Sequence, residues 1–156
     1  MGIKPKFGSG VVKSQVEKFG ERLDSAVVFL LKYMGEMLAK YAKENHTYTD
    51  QTGNLTNSIG YAIVRNGKLI HYGGEILPGD GAAEGLKVAM AMAASLTSAY
   101  TLIIVAGMNY AAYVEAKGYN VILPAELKAK KEFPAQMQRL KELATKKANE
   151  LFGNVA

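Results

Sequence analysis

The chain has 156 residues and a mass of 16.8 kDa, the size of one ordinary domain with a core of its own. It is 49% hydrophobic and 21% charged, which excludes disordered, collagen-like and low-complexity classes. It contains no cysteine, so disulfide scaffolds, thiolate metal sites and thiol nucleophiles are excluded too. The two histidines, His46 and His71, are too few for a histidine-rich metal site or a triad enzyme, and neither a metal nor a cofactor is expected.

The net charge of +5 is uneven. Residues 1–45 hold 8 basic and 5 acidic side chains, residues 125–156 hold 7 and 4, and residues 46–124 hold 4 and 5. The ends are basic and the centre is nearly neutral. A dedicated DNA reader gathers more charge on one face, whereas this balance suits a chain lying near DNA, an acidic partner, or simply water. The opening Met1-Gly-Ile-Lys-Pro-Lys-Phe-Gly has no apolar run of signal-peptide length behind it.

Val16, Phe19, Leu23, Ala26, Leu30, Tyr33, Met37 and Tyr41 recur in steps of three and four, the stripe of a long amphipathic helix. Leu31, Met34 and Leu38 widen it, so it is expected to pack on the domain's own sheet rather than in a free coiled coil. Asn45 to Asn57 follows as a polar, turn-rich stretch, expected to be a long exposed loop. It is either a floppy connector or a contact surface that orders on assembly, with Tyr48 as anchor beside Asp50, Thr52, Gly53, Asn54 and Leu55. Ser58–Val64 and Lys68–Tyr72 flank Arg65-Asn66-Gly67, whose Asn-Gly pair predicts a tight hairpin. Ile59, Tyr61 and Ile63 alternate with small residues, which predicts one buried face, and His71 reads as a sheet residue rather than a ligand.

Val88 to Val114 holds no charged residue, a length that can span a bilayer. Its character changes midway, however, from Ala and Met to β-branched residues. The better reading is a buried helix ending near Leu96, then a central strand, Ala99–Ala106. The helix is apolar nearly all round, so a core and a subunit contact remain equal explanations. Gly79-Asp-Gly lies before it but lacks the lysine and the βαβ unit of a phosphate loop. Gly107 breaks the strand, Asn109–Lys117 predicts a short helix with Asn109 as its cap, and Gly118 stops it. Tyr110, Tyr113 and Val114 share a face of that helix, with both tyrosines expected to be buried. Tyr119–Leu123 predicts a last short strand, and Ala125–Phe152 a basic amphipathic helix. The sum is an α+β fold: an antiparallel sheet, made of a hairpin plus two further strands, packed against long N-terminal and C-terminal helices. One domain over residues 1–156 is expected, with residues 1–13 and 153–156 as flexible ends.

Two segments together resemble a known family. Thr52-Gly-Asn-Leu-Thr-Asn-Ser-Ile59 is similar to a "Thr-Gly-x-Leu-x-x-Ser-Ile" lead into the first strand. Val105-Ala-Gly-Met-Asn-Tyr-Ala-Ala-Tyr-Val-Glu-Ala-Lys-Gly118 is similar to a "Val-x-Gly…Tyr-Ala-x-Tyr-Val-Glu-x-Gly" signature. Both resemble the tail-completion, or head–tail joining, neck proteins of long-tailed bacteriophages, the gp-ten-like family of HK-ninety-seven-type phages. Here Ala116-Lys117 separate Glu115 from Gly118 where the family often has one residue, and the apolar helix near 82–96 lies outside the pattern.

The resemblance implies a structural virion or prophage protein without catalysis, a ring-shaped homo-oligomer at the phage neck. It implies portal-side connector and tail-tube or tail-terminator proteins as partners, DNA only as passing cargo, and no membrane. It makes Gly107, Tyr110, Tyr113, Val114, Glu115 and Gly118 a motif corner. The alternative is a small basic nucleic-acid-binding module. Asp50, Glu75, Asp80, Glu84 and Glu115 are the central acids, and their spacing pairs none of them for enzymatic work.

Overall fold

A computed structural model describes residues 8–74 and 76–153; residues 1–7 and 154–156 of the expected flexible ends, and Glu75, lie outside the described residues. In chain order the elements are α1 (Ser9–Glu44), α2 (Asn54–Asn57), β1 (Ile59–Arg65), β2 (Lys68–Gly73), α3 (Asp80–Ala93), β3 (Thr101–Ala106), α4 (Ala111–Ala116) and α5 (Leu123–Phe152). The fold is α+β, with one antiparallel sheet in the order β2-β1-β3. The chain divides into two compact units, residues 31–135 and residues 1–30 with 136–156.

The hairpin forms where the Asn-Gly pair predicts it. Asn66 and Gly67 both have positive φ, 49° and 79°, the twist that a two-residue connection between antiparallel strands needs. The register slips between Ile63 and Val64, where β2 carries one extra residue. Strand β1 is central and buried on both faces, not on one as its alternation predicts. Ile59, Tyr61 and Ile63 face the α1 side. Ala62 faces α3 and packs with Ala89 and Val105. The second buried face was hidden in the sequence because it is built from small residues.

Within residues 31–135, α1 buries Leu31, Met34, Gly35, Leu38, Ala39 and Ala42. Leu38 and Ala42 share a core with Tyr48, Leu55, Ile59, Ala111, Val121 and Ala125 of α5, against which Leu102 and Ile104 of β3 also pack. This part of α1 and the start of α5 therefore lie on one side of the sheet, and α3 covers the other. The charge-free stretch resolves into α3 and β3, and no helix among the described residues is long and apolar enough to cross a membrane. Helix α3 buries only Gly81, Gly85, Ala89 and Ala93, a one-sided stripe, and ends at Ala93 rather than Leu96.

The expected strand over Tyr119–Leu123 does not form. Residues 119–122 are irregular and Leu123 already opens α5. The amide groups of Val121, Ile122 and Leu123 are instead held by one Glu115 carboxylate oxygen, at 3.3, 3.0 and 2.6 Å. A charged acceptor at the first amides of a helix satisfies donors that have no partner within the helix and complements its dipole.

In the other unit, residues 8–30 and 136–153, no described residue is buried. Phe19 and Phe152 meet edge to face at 5.8 Å, while Val12, Val16, Phe29 and Leu143 stay largely exposed. A pair of helices alone covers only a strip on each, so the stripe read from sequence is half-buried here. Residues 9–13, expected as a flexible end, are already helical.

The Tyr61 ring lies on Gly35 of α1, where an added Cβ would overlap the ring carbons. Gly35→Ala is expected to destabilise the protein by about 1–3 kcal/mol through overpacking, despite alanine's better helix propensity. Urea unfolding checks this, and a stabilised variant would show that the ring moves aside freely.

Candidate functional site

The two segments that carry the resemblance meet at Ser58, which is fully buried. Its hydroxyl donates to the Leu55 carbonyl at 2.7 Å. It accepts from the amides of Gly107 at 3.1 Å and Met108 at 3.3 Å. The Gly107 amide also reaches the Ser58 carbonyl at 3.2 Å. The end of β3 is thereby tied to the start of β1. Gly107 is pressed against the α3 backbone at Glu84 and Gly85, with no room for a side chain. Within the expected motif corner, Gly107, Glu115 and Gly118 thus have structural parts, Gly118 ending α4 at a positive φ of 89°.

The corner's tyrosines do not follow the expectation of burial. Tyr110 is 38% and Tyr113 61% exposed, and Val114 is half-buried at the core's margin. Lys117 lies over the Tyr113 ring at 4.8 Å. Asn109 does not cap α4, whose first position outside is Tyr110 with no side-chain cap. The physical reason is length: a helix of six residues offers one buried position, and Ala111 takes it.

The segment 45–57 departs from an open loop. Tyr48 is only 7% exposed and Leu55 2%, so the expected exposed anchor lies inside the chain's own core. His46 stacks on Tyr48 at 4.5 Å, and the Tyr48 hydroxyl sits 3.1 Å from the Thr56 hydroxyl. The Asp50 carboxylate accepts from the Thr56 amide at 2.7 Å, and the Thr52 hydroxyl from the Asn54 amide at 3.3 Å. Asn54 begins the turn α2, and its carbonyl approaches α3 at Gly81. What stays at the surface is Asn45, Thr47, Thr49 and the turn Gln51, Thr52 and Gly53.

Two further features carry chemistry or contact. Helix α3 exposes Leu86 and Met90 on one flank of its buried stripe and Met92 on the other, and the approach to the helix exposes Leu77. Of the two readings left open for this helix, both hold in part: its glycine–alanine stripe, with Val88 beside it, is core, and Leu86, Met90 and Met92 are bare. The second feature is a polar cluster across α1, β1 and β2. The Tyr61 hydroxyl donates to Glu36 at 3.0 Å and lies 2.9 Å from His71 Nε2. Its single proton goes to Glu36, so His71 donates from Nε2. Burial, then the Glu36 hydrogen bond, pushes the Tyr61 phenol above its ordinary range. Burial and the neighbouring Lys32 ammonium lower the imidazole, against an opposing pull from Glu36. On the opposite face of the sheet, toward α3, the buried Tyr72 hydroxyl has no partner among the described residues, wedged between Gly60 and Gly85, and burial pushes its pKa up to about 12.

Sequence reasoning missed this cluster because Glu36 reads as an outward charge, and because an unbulged hairpin would set His71 on the opposite face from Tyr61. Among the described residues no group of three metal-ligating side chains assembles. No family model, no curated protein and no solved structure matches the chain.

Two outcomes are expected. Ser58→Ala takes the partner from the Met108 amide, leaves Gly107 only the Ser58 carbonyl, and costs about 1–3 kcal/mol in urea unfolding, whereas Tyr113→Ala changes stability by less than about 0.5 kcal/mol; the reverse ranking would move the organising contact to the tyrosine. His71 is harder to protonate folded than unfolded, so its contribution is present above its unfolded pKa of about 6.5 and is lost as pH falls below it. The melting temperature of His71→Gln should therefore fall less than that of the native chain between neutral and mildly acidic pH. An equal fall in both would show that His71 does not sense the acid.

Proposed function

We propose that the chain is a structural component of a bacteriophage or prophage virion, a ring-forming head–tail joining or tail-completion protein of the neck. It acts by contact rather than catalysis. The observation that supports this reading is the Ser58–Gly107 junction. The two segments that resemble the neck-protein family, whose bonded positions are 49 apart in the chain, are joined there by buried hydrogen bonds. The resemblance is thus one three-dimensional corner rather than two scattered strings.

Ring contacts are heterologous, one surface meeting a different surface of the next copy. The exposed flank of α3 with Leu86 and Met90, together with Leu77 before the helix, is the apolar material for one side. Met90 adapts its shape to a partner. The surface turn Gln51–Gly53 is a polar rim beside the corner. In this reading the partners are copies of the chain, the portal-side connector and the tail tube or its terminator, and DNA passes as cargo.

Disrupting the gene in its phage or prophage is expected to give filled heads and free tails that do not join, with rescue by the intact gene in trans. Normal infectious virions from the disrupted strain would overturn the reading. If, in addition, the purified chain bound DNA with affinity falling steeply as salt rises, it would instead be a nucleic-acid-binding module.

A further inference from the structure

The outer edge of β3 is an open hydrogen-bonding template. Gly107 donates to the Ser58 carbonyl, which makes Ser58 and Gly107 a bonded pair of the β1–β3 ladder. Bonded and non-bonded pairs alternate in an antiparallel ladder. With the register Gly60↔Val105, Ala62↔Ile103 and Val64↔Thr101, those three β3 residues bond inward to β1. Leu102, Ile104 and Ala106 then turn both their amide and their carbonyl away from the sheet, and among the described residues no hydrogen bond reaches them.

Edges of this kind are normally guarded by charge, proline or a bulge. The opposite edge, β2, has a register slip and carries Lys68 and His71. Strand β3, Thr-Leu-Ile-Ile-Val-Ala, has none of these devices and pairs in continuous register with β1. Beside it runs a groove of about 530 Å³ whose lining is mostly apolar, with Leu38, Leu102, Ile104, Ala129 and Phe133, and includes one charged residue, Lys130. It opens on the side of the sheet to which Leu102 and Ile104 contribute.

We propose that β3 docks on the β3 of a second copy, antiparallel about a two-fold axis at Ile104. The occupant follows from the register. The three outward residues are symmetric about Ile104, so self-pairing sets Leu102 opposite Ala106 of the second copy and Ile104 opposite its equivalent, and every outward amide and carbonyl finds a partner. A strand without charge meets its own copy with no like-charge penalty. Directly opposed residues of a ladder share a face, so Ile104 and Leu102 of the second copy fall on the groove side and fill apolar space rather than water. The pairing uses an edge separate from the outer face of α3 and does not rest on the neck reading.

The chain has no cysteine, so a single introduced one reports the axis directly. In the proposed pair the Ile104 Cα atoms lie about 5.5 Å apart, within disulfide range. Ile104→Cys is expected to oxidise rapidly to a covalent dimer, whereas Leu102→Cys, which faces Ala106 across the axis, is not. In sedimentation over a dilution series the native chain is expected to run as a dimer. Ala106→Pro removes only an outward amide and should weaken the dimer by about tenfold or more. Its circular dichroism should match the native chain, and a changed spectrum transfers the decision to the cysteine pair. A native chain that stays monomeric over the series, or cysteines at 102 and 104 that cross-link equally, would overturn the proposal. So would a dimer that a folded Ala106→Pro chain retains at full strength.

Discussion

The buried hydroxyl of Ser58 is the point on which the central unit turns. One side chain closes the turn α2, fixes where β1 begins, and holds the end of β3 across the strand pair. A buried hydroxyl is tolerable only when its donor and acceptor capacity are used, and here both are. Once this point is fixed, Gly107 lies against α3, and the chain leaves β3 toward α4 in a set direction. Glu115 then reaches the first amides of α5 and sets where that helix starts. Sheet, turn and C-terminal helix are linked through successive polar contacts, with the apolar core filling the space between them.

The sheet's two sides are packed by different means. Toward α1 and α5 the contacts are large side chains, Tyr61, Ile59, Leu38 and Val121, in the usual interlocking of a core. Toward α3 they are small, and backbone approaches backbone at Gly85 and Gly107. The difference explains how a helix that reads as apolar all round leaves one face bare. Apart from Val88, its large residues are not the ones that pack inward. It also explains the Tyr72 hydroxyl, caught without a partner where two glycines admit a ring but offer no polar side chain.

Features governed by local geometry were legible in the sequence. The Asn-Gly hairpin, the β-branched strand after the Ala–Met helix, and the three–four spacing of α1 each depend on neighbours a few residues away. Features that depend on distant groups were not. Tyr119–Leu123 has strand composition, yet its amides are claimed by a carboxylate set in place by α4. Tyr48 looked like an anchor because a polar loop seemed to offer it nothing to bury against, and that loop folds back over Ile59 and Val121 of the core. The extra residue in β2 moved His71 to the face of Tyr61, and no local signal marks a bulge. Hence in the corner Gly107–Gly118 the glycines that end strand and helix were legible, while the reach of Glu115 was not, and the tyrosines expected inside lie outside.

The absence of any buried residue in 8–30 and 136–153 also bears on how the gene can change over time. Substitutions in a packed core remove contacts on every side and are soon selected against. In the two-helix unit most replacements that keep helix propensity remove little, so neutral drift there is expected to outpace that of residues 31–135. Diverged descendants of this gene would then keep Ser58, Gly107 and Glu115 after their outer helices no longer align, and ancestry would be traced through the centre of the chain.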